Sequence, residues 1–261
     1  MSEKVNVICL KWGTLYPAEY VNRLYRAVKA HLHRPFRFVC ITDDTMGLDE
    51  AVETAPFPEC PPKMEFNDQY PTWPNIYVKL VLYKPGLAGL VGPTLFLDID
   101  QLILGDLDCF FDYKPGEFCI IHNWVEKRKY LFREAPFCGN SSCFRFEAGG
   151  PFDYVYETFL KELPTPLDYN VFCTEQNYMT HAVTPEKINF WPDDFVRSFK
   201  RVCTWPWPLN HFLAPKRPPA DTKILCFHGN PSPEQAIAGY HQGKPERWTR
   251  PAKWLPALWN R

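Results

Sequence analysis

"VNVICLKWGTLYPAEYVNRLYRAVKAHLHRPFRFVCIT", residues 5–42, reads as a strand, a helix and a second strand. "VNVICL" and "FRFVCIT" are apolar and rich in β-branched residues. Between them Val21, Leu24, Tyr25, Val28 and Leu32 recur at helical spacing and make one apolar stripe, with Pro17 where a first helical turn tolerates it. Two strands joined by a helical crossover pair in parallel, and such a unit binds ligands at the carboxyl ends of its strands. The sequence places "KWGTLY" and "TDD" there. The unit predicts an α/β fold: a mixed, mostly parallel central sheet flanked by helices, with a Rossmann-like half.

The second decisive stretch is "GPTLFLDIDQLIL", residues 92–104. An apolar strand runs into Asp98 and Asp100, and alternate side chains of an extended chain share a face. Two carboxylates aimed the same way repel unless something positive stands between them. Magnesium or manganese meets that need, because hard cations take carboxylate oxygens. Downstream, "KILCFHGNPSP" delivers His228 to another strand end beside Gly229, which lets a ligand approach the backbone. A neutral imidazole with two carboxylates makes half a coordination shell for manganese and leaves positions for phosphate oxygens. Alone, an Asp-x-Asp triplet is equally at home in a solvated turn.

The rest of the chain continues the α/β alternation. Residues 45–74 read as a proline-rich loop, "NIYVKLVLYKPGLAGL" as a helix stopped by Pro85 and Gly86, and "DLDCFFDY" as a turn with aromatic anchors. "GEFCIIHNW" and "PFCGNSSCFRF" read as strands. "FDYVYETFLKEL" reads as an amphipathic helix with Phe152, Val155, Tyr156, Phe159 and Leu160 inward, and "TEQNYMTHAV" as a helix capped by Thr174. With no internal repeat or low-complexity linker, the 261 residues are expected to form a single domain with halves 1–110 and 111–261.

Composition narrows the function. A formal net charge of −1 gives no global basic field, so nucleic acid is not an expected partner. Of the ten cysteines, several lie inside apolar runs, where a thiol packs as a small hydrophobe, and none forms paired CxxC knuckles. No leader precedes "MSEKVNVICL" and no apolar run reaches membrane-spanning length, so a cytoplasmic location is expected.

Together, "WGTLY", "ITDD", "VKLVLYKPGLAGLVGPTLFLDIDQLILGDLDCFFD", "GNSSCF", "TEQNYMT" and "CFHGNPSP" resemble glycosyltransferase family 8, the glycogenin and bacterial galactosyltransferase group, and its close neighbours. The resemblance spans nearly the whole chain. It implies a GT-A type fold, a manganese (or magnesium) ion, and transfer of a sugar from a nucleotide-sugar donor, a UDP-sugar above all, to a carbohydrate or glycolipid acceptor. On this resemblance Asp98, Asp100 and His228 hold the metal. Lys79 reaches the donor, and Asn140 and Ser141 flank its sugar ring. Glu175 and Gln176 lie beneath the transferred sugar, and Trp12, Tyr16 and Asp43 face the nucleoside. Family members carry a lysine near the C-terminal histidine and a glycine three positions after it. Here Gly229 follows His228 directly and Ser232 stands near the lysine's place, which leaves Lys200 or Arg201 for the phosphate contact.

A retaining transferase needs no carboxylate base if the departing phosphate takes the proton, and a neutral Gln176 suits a cationic transition state. An inverting one would need such a base, for which Asp193 and Asp194 are candidates. Retention is what the resemblance implies. Two alternatives are weighed against transfer. "TLFLDIDQL" resembles the first motif of haloacid-dehalogenase-type phosphatases, with Asp98 as nucleophile, though that motif belongs on a first strand. A non-catalytic nucleotide-sugar binding module is the other. Finally, "KPERWTRPAKWLPALWNR" sets five Lys or Arg against one Glu, with Trp248, Trp254 and Trp259 among them. Such a tail suits peripheral contact with an anionic inner membrane face, or simple packing over the domain, which its prolines favour.

Overall fold

The computed structural model describes residues 4–59, 74–124, 137–162 and 175–260. Strand β1 (Val5–Lys11) is buried along its whole length and pairs in parallel with β2 (Phe36–Thr42), in register from Val5 opposite Phe36 to Lys11 opposite Thr42. Helix α1 (Glu19–His31) makes the crossover and buries Tyr20, Val21, Leu24 and Val28. Tyr25 is only half-buried, against Phe38, so Tyr20 takes its expected place in the stripe. Pro17 lies just before the helix and accepts from the Tyr20 amide.

β1 is also the parallel partner of β4 (Gly92–Leu97), and the short β3 (Glu53–Ala55) extends the far side of β2. Beyond β4 come β7 (Gly139–Ala148), antiparallel to it, then β6 (Phe118–His122) and β8 (Ile188–Phe190). The seven strands run β3-β2-β1-β4-β7-β6-β8, mixed and mostly parallel. A second sheet, β5-β10-β9, consists of Leu102–Ile103, Ile224–Cys226 and Val196–Ser198.

Both faces of the large sheet are covered, as a mostly parallel sheet requires. One core packs α1 and the small sheet against Val7, Cys9, Leu95 and Leu97. The other packs helices α3 (Tyr154–Glu162) and α4 (Glu175–Val183) against Ile8, Phe96, Phe144 and Phe146. The expected helix before β4 is a 3₁₀ helix, Ile76–Tyr83, opened by the Asn75 side chain accepting from the Tyr77 amide at 3.0 Å. Val78, Leu80, Val81, Leu82 and Tyr83 are all buried, so this run has no solvent face to impose the 3.6-residue period. Asp98–Asp100 form the turn that carries the chain from β4 in the large sheet to β5 in the small one. "DLDCFFDY" contains the one-turn helix α2 (Cys109–Asp112), which buries Phe110 and Phe111.

The C-terminal segment is irregular, with short helices α5 (Phe199–Val202), α6 (Pro233–Ala238) and α7 (Pro256–Trp259). Ser232 caps α6 with Gln235 in reciprocal hydrogen bonds. Among the described residues no helix is long and apolar enough to cross a membrane, and eight cysteines are free thiols. Thr174, the expected cap of α4, and residues 60–73 of the proline-rich loop lie outside the described residues.

Candidate active site

At the carboxyl ends of β1 and β4 opens a cleft of about 290 Å³, where parallel strands of an open α/β sheet place a ligand. β1 contributes Leu10 and Lys11, and the turn after it Trp12, Leu15 and Tyr16. The 3₁₀ helix gives Lys79, the turn after β4 gives Asp98, Ile99 and Asp100, and the start of α4 gives Glu175.

Lys79 is the hub. Its Nζ lies 2.9 Å from Asp98 Oδ1, 3.3 Å from the Ser141 carbonyl and hydroxyl oxygens, and 3.7 Å from Glu175 Oε1. Ser141 Oγ in turn donates to Glu175 Oε1 at 2.8 Å. Burial opposes the Lys79 ammonium, but Asp98 and Glu175 outweigh it and hold its pKa above the ordinary lysine value. Burial pushes Asp98 up, offset in part by Lys79. Burial and the Asp98 charge push Asp100 up to about 7. Tyr16, which lines the cleft with both carboxylates, is pushed up to about 12 by burial and by Asp100 and Asp98. Three carboxylates thus share the cleft with two lysines. Hard oxygen donors with an unmet negative charge fit a divalent cation.

His228 follows β10, with its Nε2 2.6 Å from Ser198 Oγ at the end of β9 and its ring stacked on Trp124 at 5.1 Å. Burial and the nearby Lys200 and Arg201 hold it down at about 4, so the ring is neutral at physiological pH, as a ligand must be. Lys200 donates to the His228 carbonyl. At Gly229 φ is +60°, and a Cβ there would stand 3.5 Å from Lys200 Nζ. Among the described residues Asp98, Asp100 and His228 do not gather their ligand atoms within 4.8 Å; the group that does is His33, Asp106 and Asp108. That group adjoins the amino end of β2, away from the cleft, and Arg34 already pairs with Asp108 at 2.7 Å.

The remaining expected residues take distinct positions. Asp43 Oδ2 accepts from the Gly13 amide at 3.0 Å, tying the loop after β2 to the loop after β1. Trp12 packs edge-on against Phe57. Asn140 and Ser141 sit on β7, where Asn140 Oδ1 accepts from the Ser142 amide at 3.1 Å. Gln176 follows Glu175 in α4, and its carbonyl accepts from Thr180 Oγ1 at 2.7 Å. Asp193 and Asp194 precede β9, at the end of the small sheet opposite His228.

Three residues of this region escape the sequence reading. Lys11, 4% exposed, lines the cleft although a lysine ending a strand reads as solvated. Ser198 holds His228 with no motif around it. Glu234 raises Asp100 and Tyr16 from α6, while accepting from Tyr20 and from Trp259 Nε1.

No protein-family profile matches the sequence, and no curated protein sequence matches it. Solved structures do. The fold is of the GT-A type seen in glycosyltransferases. The galactosyltransferase LgtC, in complex with donor and acceptor sugar analogues, matches with a TM-score of 0.58 at 13% identity, over 98% of this chain and 95% of that one. The apo glycosyltransferase GlyE of Streptococcus pneumoniae TIGR4 matches with a TM-score of 0.59 at 13% identity, over 99% of this chain and 60% of that one. Apo mouse xyloside xylosyltransferase 1 matches at 0.53 and 12% identity, over 88% of this chain and 98% of that one.

Proposed function

We propose that this chain is a metal-dependent, retaining glycosyltransferase that moves a sugar from a UDP-sugar to a carbohydrate or glycolipid acceptor. The observation that carries the reading is the cleft itself: a fold shared with glycosyltransferases brings Asp98, Asp100, Lys79 and Glu175 together at the carboxyl ends of β1 and β4. Asp98 and Asp100 hold manganese or magnesium, with His228 as the third ligand. Once bound, the ion offers the departing diphosphate a Lewis acid.

The chain's own groups do the rest. Trp12, Tyr16 and Asp43 face the nucleoside. Lys79 would supply a fixed positive charge for the donor, beside the Asp98 carboxylate that would help to hold the ion. Asn140 and Ser141 border the sugar, and Glu175, fixed by Ser141, orients it. Gln176 lies beneath the ring, its neutral amide facing the positive charge that develops at the anomeric carbon. Lys200, beside Gly229, supplies the phosphate contact at the C-terminal end. The chain acts as one domain, donor side in 1–110 and acceptor side in 111–261, in the cytoplasm, and peripheral membrane contact belongs to the same reading. A phosphatase with Asp98 as nucleophile is disfavoured, because the motif follows the fourth strand and not the first.

The test is a screen of nucleotide sugars with manganese, following release of nucleoside diphosphate. UDP-sugars are expected to turn over and simple phosphate monoesters not. Calorimetry should give tight nucleoside diphosphate binding only with the cation, and Asp100→Ala should abolish that dependence. Gln176→Ala should lower turnover about ten- to a thousandfold with donor affinity nearly intact. Binding without turnover of any nucleotide sugar would leave a binding module instead.

A further inference from the structure

The loop between α5 and β10 exposes apolar side chains that a folded chain ordinarily covers. Trp207 is 61% exposed, Leu209 44%, Phe212 73% and Leu213 41%, all within seven residues. The loop is not loosely attached. Asn210, itself buried, donates to the carbonyls of Pro245 and Trp248 at 2.9 Å each, Trp205 Nε1 donates to the Ala214 carbonyl at 3.0 Å, and Trp254 Nε1 to the Pro215 carbonyl at 3.0 Å. A firmly held backbone therefore presents these rings to solvent, and contiguous exposed apolar side chains on such a base mark an interaction surface.

The charge around the loop identifies the partner. Through those bonds the loop packs on residues 243–254, and Arg250 reaches the His211 carbonyl at 3.5 Å. Lys216 and Arg217 at its end, and Lys244, Arg247, Arg250 and Lys253 beside it, are all exposed. Glu246 is the one acidic residue of 204–217 and 241–253. On a protein of net charge −1 this is a local positive field, not a reflection of composition. Apolar and aromatic side chains ringed by Lys and Arg match the surface of an anionic bilayer, whose headgroups take the cations while the rings enter the acyl boundary.

We propose that the 207–213 loop, with the basic rim of residues 216–217 and 244–253, docks this protein on an anionic lipid surface. The docking site is thus the loop and not the C-terminal tryptophans, since Trp259 is buried and Trp254 is bonded to the loop's base. This does not depend on the transfer reaction, but it agrees with a glycolipid acceptor.

The experiment is co-sedimentation of the full chain with phosphatidylcholine vesicles with and without phosphatidylserine. Binding is expected to be about tenfold or more tighter to the anionic vesicles, and to fall as salt shortens the screening length. Trp207→Ser with Phe212→Ser, and separately Lys244→Glu with Arg247→Glu, should each weaken it about tenfold. Val91→Ser, which removes a side chain 72% exposed elsewhere, should leave it unchanged. Circular dichroism melting of each variant confirms its fold. Absence of vesicle binding, or binding that both double variants retain, overturns the proposal. So does a concentration-dependent dimer of the parent that dissolves in Trp207→Ser/Phe212→Ser without any vesicle binding, which would assign the patch to a second copy of the chain.

Discussion

Lys79 shows how one side chain couples folding to the site. In the free protein its ammonium is what makes burial of Asp98 and Glu175 tolerable, yet it occupies the carboxylate that a cation would need. Lys79→Met removes the charge at nearly constant length. Removing one member of a largely buried pair costs about 3 kcal/mol, which for a chain of this size lowers the melting temperature by roughly 6–12 °C in chelator. Manganese should restore more of that loss in the variant than it adds to the parent, because it no longer competes with an ammonium, while turnover should disappear. Thermal melts with and without manganese read both effects. An equal manganese shift in the two proteins would mean that Asp98 does not face the cation. Little of this was legible beforehand: the resemblance sent Lys79 to the donor and Asp98 to the metal and gave no pairing between them, and Lys11 and Ser198 left no sequence signal, because a buried polar group and a solvated one look alike in a string of letters.

At the level of elements, the carboxyl ends of the strands are set by devices remote from the cleft. One is Asp108, which ties the α1–β2 turn to α2 by accepting from the His33 amide at 2.9 Å and from Arg34 Nε at 2.7 Å. Burial alone would raise its carboxyl, but Arg34 and His33 prevail and hold it at about 2. Its folded pKa lies below its unfolded one, so its contribution is complete above about pH 4 and drains away as pH falls from 4 towards 2. Asp108→Asn should therefore cost about 2 kcal/mol at neutral pH and flatten the stability profile in that acid window, as denaturant titrations across pH would show. A second device is the irregularity between Ile120 and Ile121, where β6 shifts register against β7 just before Asn140 and Ser141. Such shifts re-aim side chains at sites. Gly139 pairs with His122 but lies against the Ile120 side chain, and a Cβ on it would come within 2.6 Å of Ile120 Cδ1 and 3.0 Å of Cγ2. Gly139→Ala should cost about 1–3 kcal/mol by overpacking, and Ile120→Val, which deletes Cδ1, should recover part of it in the double variant. Additive losses would show that the two do not press on each other.

Across the whole molecule, two kinds of segment could be read from the sequence. α1 and α3 show their period because one face packs on the sheet and the other does not, and β1, β2 and β4 read as strands because cover on both faces makes them continuous short apolar runs. "YVKLVLY" has no exposed face and so hid its 3₁₀ pitch, and "LIL" after Asp100 gave no sign that it belongs to a different sheet. The tail is where the two readings of the sequence separate. Trp259 is 1% exposed, with the Arg23 guanidinium 3.9 Å over its ring, Tyr20 edge-on at 5.4 Å, and Nε1 donating to Glu234 Oε1 at 2.9 Å. It therefore joins α7 to α1 and to α6, the helix that follows the His228 loop. A large cavity there, together with an Arg23 whose Nε and Nη1 have no hydrogen-bond partner among the described residues, makes Trp259→Ala cost about 3–5 kcal/mol, roughly 10 °C in melting temperature. Trp259→Phe keeps the ring over Arg23 but loses the bond to Glu234, and should cost about a third as much. A tail whose tryptophans served only a membrane would melt with the parent when no lipid is present, so a lipid-free thermal melt of the two variants decides between the roles. Because Glu234 also acts on Asp100 and Tyr16, the loosening should reach the cleft: Trp259→Ala, measured well below its melting point, should show weaker manganese and nucleotide binding than Trp259→Phe, although no atom of Trp259 lines the cleft.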